Sequence, residues 1–180
     1  MYGNDYRRTQ VEAQYHGGST RAQYEAGALM VNLYNDQRSP MYRSLMFLGL
    51  ANKHFEQANM IDSSFKLGLI GMLQLDCLSK KTAREQTLSE LNRRFESGQN
   101  RVLDRTALSG IARMTNEGTI CLSREQVDQL FLSALSNPLV YGIKKSRILT
   151  AYAHYLWLGQ KDYPAALAAL DQAYELNNDD

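Results

Sequence analysis

No run of apolar residues in this 180-residue chain approaches the roughly 18–20 needed to cross a bilayer. The opening residues, MYGNDYRRTQ, hold no apolar core of the kind a secretory signal carries. An internal domain of a longer membrane protein would show neither signal nor span. Charge of one sign is also lacking, with 20 Lys plus Arg against 19 Asp plus Glu. The basic excess of a dedicated nucleic-acid binder is therefore missing. The chain has two cysteines, Cys77 and Cys121, with no CxxC spacing and no histidine pair nearby, which argues against a zinc site. His16, His54 and His154 form neither HExxH nor any paired metal spacing. No GxSxG, GxxxxGK[ST] or GxGxxG motif is present. The expectation from these absences is no catalytic residue, no metal and no cofactor.

What is present is helical periodicity from Thr20 onward, in a chain whose 44% apolar content is enough for a sizeable core. Residues 1–19 are polar, carry Gly3, Gly17 and Gly18, and read as an arm or linker. Tyr2, Tyr6 and Tyr15 either pack on the first helix or make a partner-binding or membrane-proximal arm. Thr20-Arg-Ala-Gln23 fits a capping box and opens a helix carrying Tyr24, Ala28, Val31 and Tyr34. Ser39-Pro40 starts a second helix running to about Met60, whose small residues Gly49, Ala51 and Ala58 mark close helix contact. Asp62 or Ser63 caps a third, from Ser64 to Leu78, apolar on nearly every side and so expected mid-fold.

Thr82-Ala-Arg-Glu85 is a second capping box, and Leu88, Leu91 and Phe95 follow on one face. A helix from Asn100 to Asn116 carries Val102, Leu103, Leu108, Ile111 and Met114, and Glu117-Gly118 stops it. Thr119 to Leu122 reads as an extended apolar link. Ser123-Arg-Glu-Gln126 is a third capping box, and Asn137-Pro138 ends its helix because a residue before proline is pushed out of the helical region. Val140 to Lys144 reads as a loop. The expected fold class is all-α, about eight antiparallel helices in an α-α superhelix, or else an irregular bundle.

Residues 146–180 carry the clearest pattern. Ile148 to Leu158 reads as one helix, broken at Gly159. Asp162 caps the next, with Pro164 in its first turn and Ala166, Leu170 and Ala173 as its packing stripe. With Asp162-Tyr163 at the turn and Tyr174-Glu-Leu-Asn177 at the end, this stretch resembles a tetratricopeptide (TPR) repeat, a helix–turn–helix unit of about 34 residues. Its turn is longer than usual, and Asn178 stands where the repeat normally has proline. The resemblance implies a TPR-like solenoid, with residues 20–145 as degenerate hairpins. It also implies a non-catalytic module that takes a protein or peptide partner. In such repeats the first helix lines a groove, so Tyr152, Tyr155 and Trp157 are candidate partner-binding residues; the alternative is that they are inter-hairpin core. Leu167 and Tyr174 lie on the flank a following helix would cover, which suggests stacking on a second copy or further repeats.

Leu73-Gln-Leu-Asp-Cys77, Leu91-Asn-Arg-Arg-Phe95, Cys121-Leu122 and Ala134-Leu-Ser-Asn-Pro138 are loosely similar to soluble TPR regions of bacterial multi-span membrane proteins related to glycosyltransferases. That similarity implies an accessory domain, linked to a membrane-embedded portion and placed outside the membrane. In an oxidising compartment the two cysteines, both expected to be buried, would form a disulfide that closes a loop of about 44 residues and contributes roughly 3–4 kcal/mol. Lys80-Lys81-Arg84, Arg93-Arg94, Arg101-Arg105 and Lys144-Lys145-Arg147 are either helix-end complements to the dipole or a modest positive patch for an acidic peptide or anionic lipid. Glu85, Glu90 and Glu96 read as a solvated face paired with arginines. A small helical enzyme or ligand carrier, with its site between hairpins, is the other function class.

Overall fold

A computed structural model of the chain describes residues 18–35, 41–62, 64, 66–80, 83, 85–97 and 103–178, without the side chains of 41–45, 80, 103 and 178. Several sequence expectations lie outside the described residues: the arm over 1–17, the Ser39-Pro40 start, the Thr82 cap, Lys81 and Arg84 of the first basic cluster, and the Asn100 start with Arg101 and Val102. Among the described residues there are eight α-helices and no strand. They are α1 (Thr20–Asn35), α2 (Met41–Ile61), α3 (Lys66–Lys80), α4 (Glu85–Ser97), α5 (Leu103–Asn116), α6 (Arg124–Ser136), α7 (Gly142–Tyr155) and α8 (Tyr163–Asn178). The fold is all-α. The chain forms two compact units, Met1–Ser79 and Lys80–Asp180. The terminal repeat read at 146–180 thus shares a unit with α4, α5 and α6.

The first unit is built around one ring. Phe55 of α2 is 1% exposed. A Cβ on Gly27 of α1 would lie 2.5 Å from its ring, and one on Gly71 of α3 would lie 2.6 Å away. Both glycines are what let two neighbouring helices close on the same side chain. Met30, Val31, Ala51 and Leu75 complete that core, and Tyr24 adds a tilted ring contact at 5.8 Å. Gln23, early in α1, bonds His54, late in α2, at 2.7 Å, so the two helices run antiparallel. Burial, with a smaller effect of nearby Lys53, lowers the His54 pKa. The helix begins at Thr20, so the expected capping position is inside it. The cap is one residue earlier, where Ser19 Oγ accepts from the Ala22 N–H. Gly49 does not mark a helix contact: it is exposed, with open space around it.

The second unit is periodic. Helices α6 and α8 begin at Arg124 and Tyr163, an interval of 39 residues. The buried stripe recurs at the same interval: Leu88, Leu91 and Phe95; Val127, Leu130 and Ala134; Ala166, Ala169 and Ala173. Helices α4 and α6 run parallel. Ser133 donates to Asn92 at 3.0 Å, and the Asn137 amide, at the end of α6, donates to the Phe95 carbonyl, at the end of α4, at 2.8 Å. Arg124, the first residue of α6, pairs with Asp162, which caps α8. Between these, α5 packs on α7, and α7 makes a hairpin with α8 in which Ser146 donates to the Ala173 carbonyl at 2.9 Å. Contact with both the next helix and the next but one is the packing of a solenoid. The interval is five residues longer than the 34 that the TPR resemblance implies.

Local signals explain most of the helix ends. The Ser123 capping box has both its bonds, from the Gln126 N–H at 3.3 Å and from the Ser123 N–H at 2.9 Å. Gly118, at φ 69°, reverses the chain after α5. Asn137 ends α6 in an extended conformation before Pro138. Helix α7 starts at Gly142, so residues 142–144, expected in a loop, are helical. It continues beyond Tyr155 as a π-turn, Leu156–Gln160, and the chain leaves through Lys161 at φ 54°. Gly159 therefore sits inside the wider turn and does not end the helix.

Candidate functional site

The residues singled out for partner binding all lie on α7, the π-turn or α8, but they do not share one environment. Tyr155 is 1% exposed, with its ring stacked 6.1 Å from that of Phe131. Tyr152 is half-buried, 4.8 Å from the Phe131 ring, and its hydroxyl donates to Asp128 at 3.0 Å. Both tyrosines therefore fasten α7 to α6. Burial pushes the Tyr155 hydroxyl up to about 12, with the Asp128 charge adding to it. Burial, and then the bond to Asp128, raises Tyr152 as well. Neither hydroxyl can act as a base near neutral pH.

Trp157, Leu167 and Tyr174 are at the surface. The π-turn turns Trp157 outward, where it meets Tyr163 edge to face at 4.8 Å. Along α8, Tyr163, Leu167, Leu170 and Tyr174 follow at helical spacing and are between 40 and 69% exposed. Leu170, expected in the buried stripe beside Ala166 and Ala173, belongs to this outer one; Ala169 takes its place inside. Helix α8 thus buries three alanines and presents leucines and tyrosines outward, the reverse of an ordinary surface helix. Sequence reasoning missed Tyr163 and Leu170. Ala166 and Ala173 are inside and Leu167 and Tyr174 outside, as the sequence reading placed them; only Leu170, at a position between the two stripes, was assigned to the wrong one.

A second feature is a cleft of about 580 Å³ between α5 and the end of α7. Thr106, Ser109, Arg113 and Asn116 line one side, and His154 and Leu158 the other. Among the described residues no cluster of three or more His, Cys, Asp or Glu could hold a metal ion. Glu90 is bridged by two arginines, Arg93 at 2.8 Å and the buried Arg94 at 2.7 Å. The bond from Arg93, followed by the weaker one from Arg94, brings its carboxyl down to about 2. The pairing expected of α4 is seen at Glu90, which it explains without any chemistry, but Arg94, expected on the solvated face, is buried.

Both cysteines are disulfide-bonded and neither is a free thiol. Each is half-buried, less enclosed than expected. Among the described residues no helix is long and apolar enough to cross a membrane. No protein-family model, curated protein or solved structure matches the chain.

Proposed function

We propose that this chain is a non-catalytic protein-interaction scaffold of TPR type, and that it takes its partner on the outer face of α8. The observation that carries this reading is the inversion of α8. A helix that buries Ala166, Ala169 and Ala173 while exposing Leu167, Leu170 and Tyr174 is shaped for something outside it. Trp157 and Tyr163 extend the same face, and exposed aromatics are the side chains most often found as binding anchors.

The setting we favour is an accessory domain of a bacterial membrane protein related to glycosyltransferases, placed outside the membrane. Two bonded cysteines support an oxidising compartment, and the loose likeness of the Leu73–Cys77 and Ala134–Pro138 segments supports the family. The α5–α7 cleft is the feature that favours a ligand carrier instead, since it gathers Arg113, His154 and two hydroxyls around one space.

Affinity capture from source cells after cross-linking decides between these readings. A partner protein should be retained by the wild-type chain and lost with Leu167→Ser plus Tyr174→Ser, while Arg113→Ala plus His154→Ala leaves capture unchanged. The opposite pattern would replace the scaffold reading with the carrier.

A further inference from the structure

The geometry points to one occupant for the α8 face: a basic amphipathic helix with the chemistry of this chain's own α7. The inference rests on the scaffold reading and names its partner class. It starts from the 39-residue interval. One interval before Leu167, Leu170 and Tyr174 stand Asp128, Phe131 and Leu135, on the same face of α6. That face is covered within the molecule. The Tyr152 ring of α7 lies 4.8 Å from Phe131, and its hydroxyl bonds Asp128. The repeat preceding α8 therefore displays what this face receives, which is a helix that sets an aromatic ring over the central apolar residue.

Charge narrows the occupant further. From Gly142 to Lys161 the sequence has Lys144, Lys145, Arg147 and Lys161, and no acidic residue. From Tyr163 to Asp180 it has Asp171, Glu175, Asp179 and Asp180, and no Lys, Arg or His. Asp171 and Glu175 are exposed and directly follow Leu170 and Tyr174 in the outer stripe. An apolar stripe edged by carboxylates suits a helix edged by cations. It repels an acidic peptide and an anionic lipid surface alike.

The probe is a dye-labelled synthetic peptide with the sequence of residues 142–158, titrated with the intact chain and followed by fluorescence anisotropy. A second peptide replaces its three cations by Glu. The basic peptide should bind saturably, more weakly as salt rises. Leu170→Ser plus Tyr174→Ser should weaken it about tenfold or more, as expected for the loss of central apolar anchors. Asp171→Lys plus Glu175→Lys should weaken it too and make the acidic peptide the better ligand. All four positions are exposed, so unchanged circular dichroism serves as the folding control. No binding, or equal binding of both peptides, overturns the inference. So does light scattering that shows self-association abolished by Leu170→Ser, which would give the face to a second copy, or preferential binding to phosphatidylglycerol vesicles. If the peptide fails while cross-linked capture still depends on Leu167 and Tyr174, the scaffold reading stands and only this partner class falls.

Discussion

The first unit gathers three helices on a single ring, and the second repeats one packing solution at a fixed interval. In the first, Phe55 is enclosed because Gly27 and Gly71 have no side chains, so the fit depends on those two absences. In the second, no residue is central. The stripe passes from Leu88, Leu91 and Phe95 to Val127, Leu130 and Ala134 and then to three alanines, becoming smaller at each step. Volume concentrated at one point makes a unit sensitive there. Volume spread along an array makes it tolerant, and lets its last helix turn its larger residues outward.

The largest effect should follow from emptying the first centre. Phe55→Ala should cost about 3–5 kcal/mol in urea unfolding, the usual range for a fully buried phenylalanine. Filling the gap around it should come next. Gly71→Ala should destabilise by ~1–3 kcal/mol, because the new methyl has no room beside the ring. Gly49→Ala, in open space on α2, should instead stabilise by about 0.5–1 kcal/mol through helix propensity. Combined with Phe55→Ala, Gly71→Ala should lose most of its cost; simple additivity would show that the ring is not what the glycines accommodate.

In the second unit, Ala166→Leu should overpack the α7–α8 contact and cost ~1–3 kcal/mol. Leu170→Ala, four residues on, should change stability by less than about 0.5 kcal/mol, as exposed substitutions do. A helix in which the added leucine is harmful and the native one dispensable would confirm which stripe is inside. The smallest effect concerns pH. The Glu90 carboxyl titrates near 2 in the folded chain against 4.5 ordinarily. Its contribution is therefore complete above about pH 4.5 and is lost as pH falls toward 2. Glu90→Gln should lower stability modestly at neutral pH, where that contribution is complete, and flatten the profile between about pH 4.5 and 2, so that the two chains converge as pH falls.

Much of this was legible in the sequence. The all-α class, the Ser123 and Asp162 caps, the stop at Gly118 and the end at Asn137 are set by residues within a turn of one another, so local chemistry states them. The stripe Leu88, Leu91, Phe95 was readable because its other face is charged. The Ser19 cap was not, since Ser19 and Thr20 are adjacent and both are good capping residues, so local chemistry does not choose between them. The two stripes of α8 were read correctly at Ala166, Ala173, Leu167 and Tyr174, but Leu170 was placed inside in place of Ala169, because both stripes are apolar and only the neighbouring helix decides which is covered. Tyr155 looked like a ligand-binding aromatic until Phe131 was found beside it.

The π-turn over Leu156–Gln160 has a genetic counterpart. A π-turn holds about one residue more than the α-turn it replaces, so its geometry depends on the number of residues it contains. Each residue of an α-helix advances the direction of its side chain by about 100°. Deleting any one residue from this turn would restore a regular helix and swing those after the cut by that angle, withdrawing Trp157 from Tyr163. In this segment a loss of three bases is a large change, because the length of the turn sets what the surface displays; composition counts too, at the buried Leu156 and at Gly159, where a side chain would collide with Asn116.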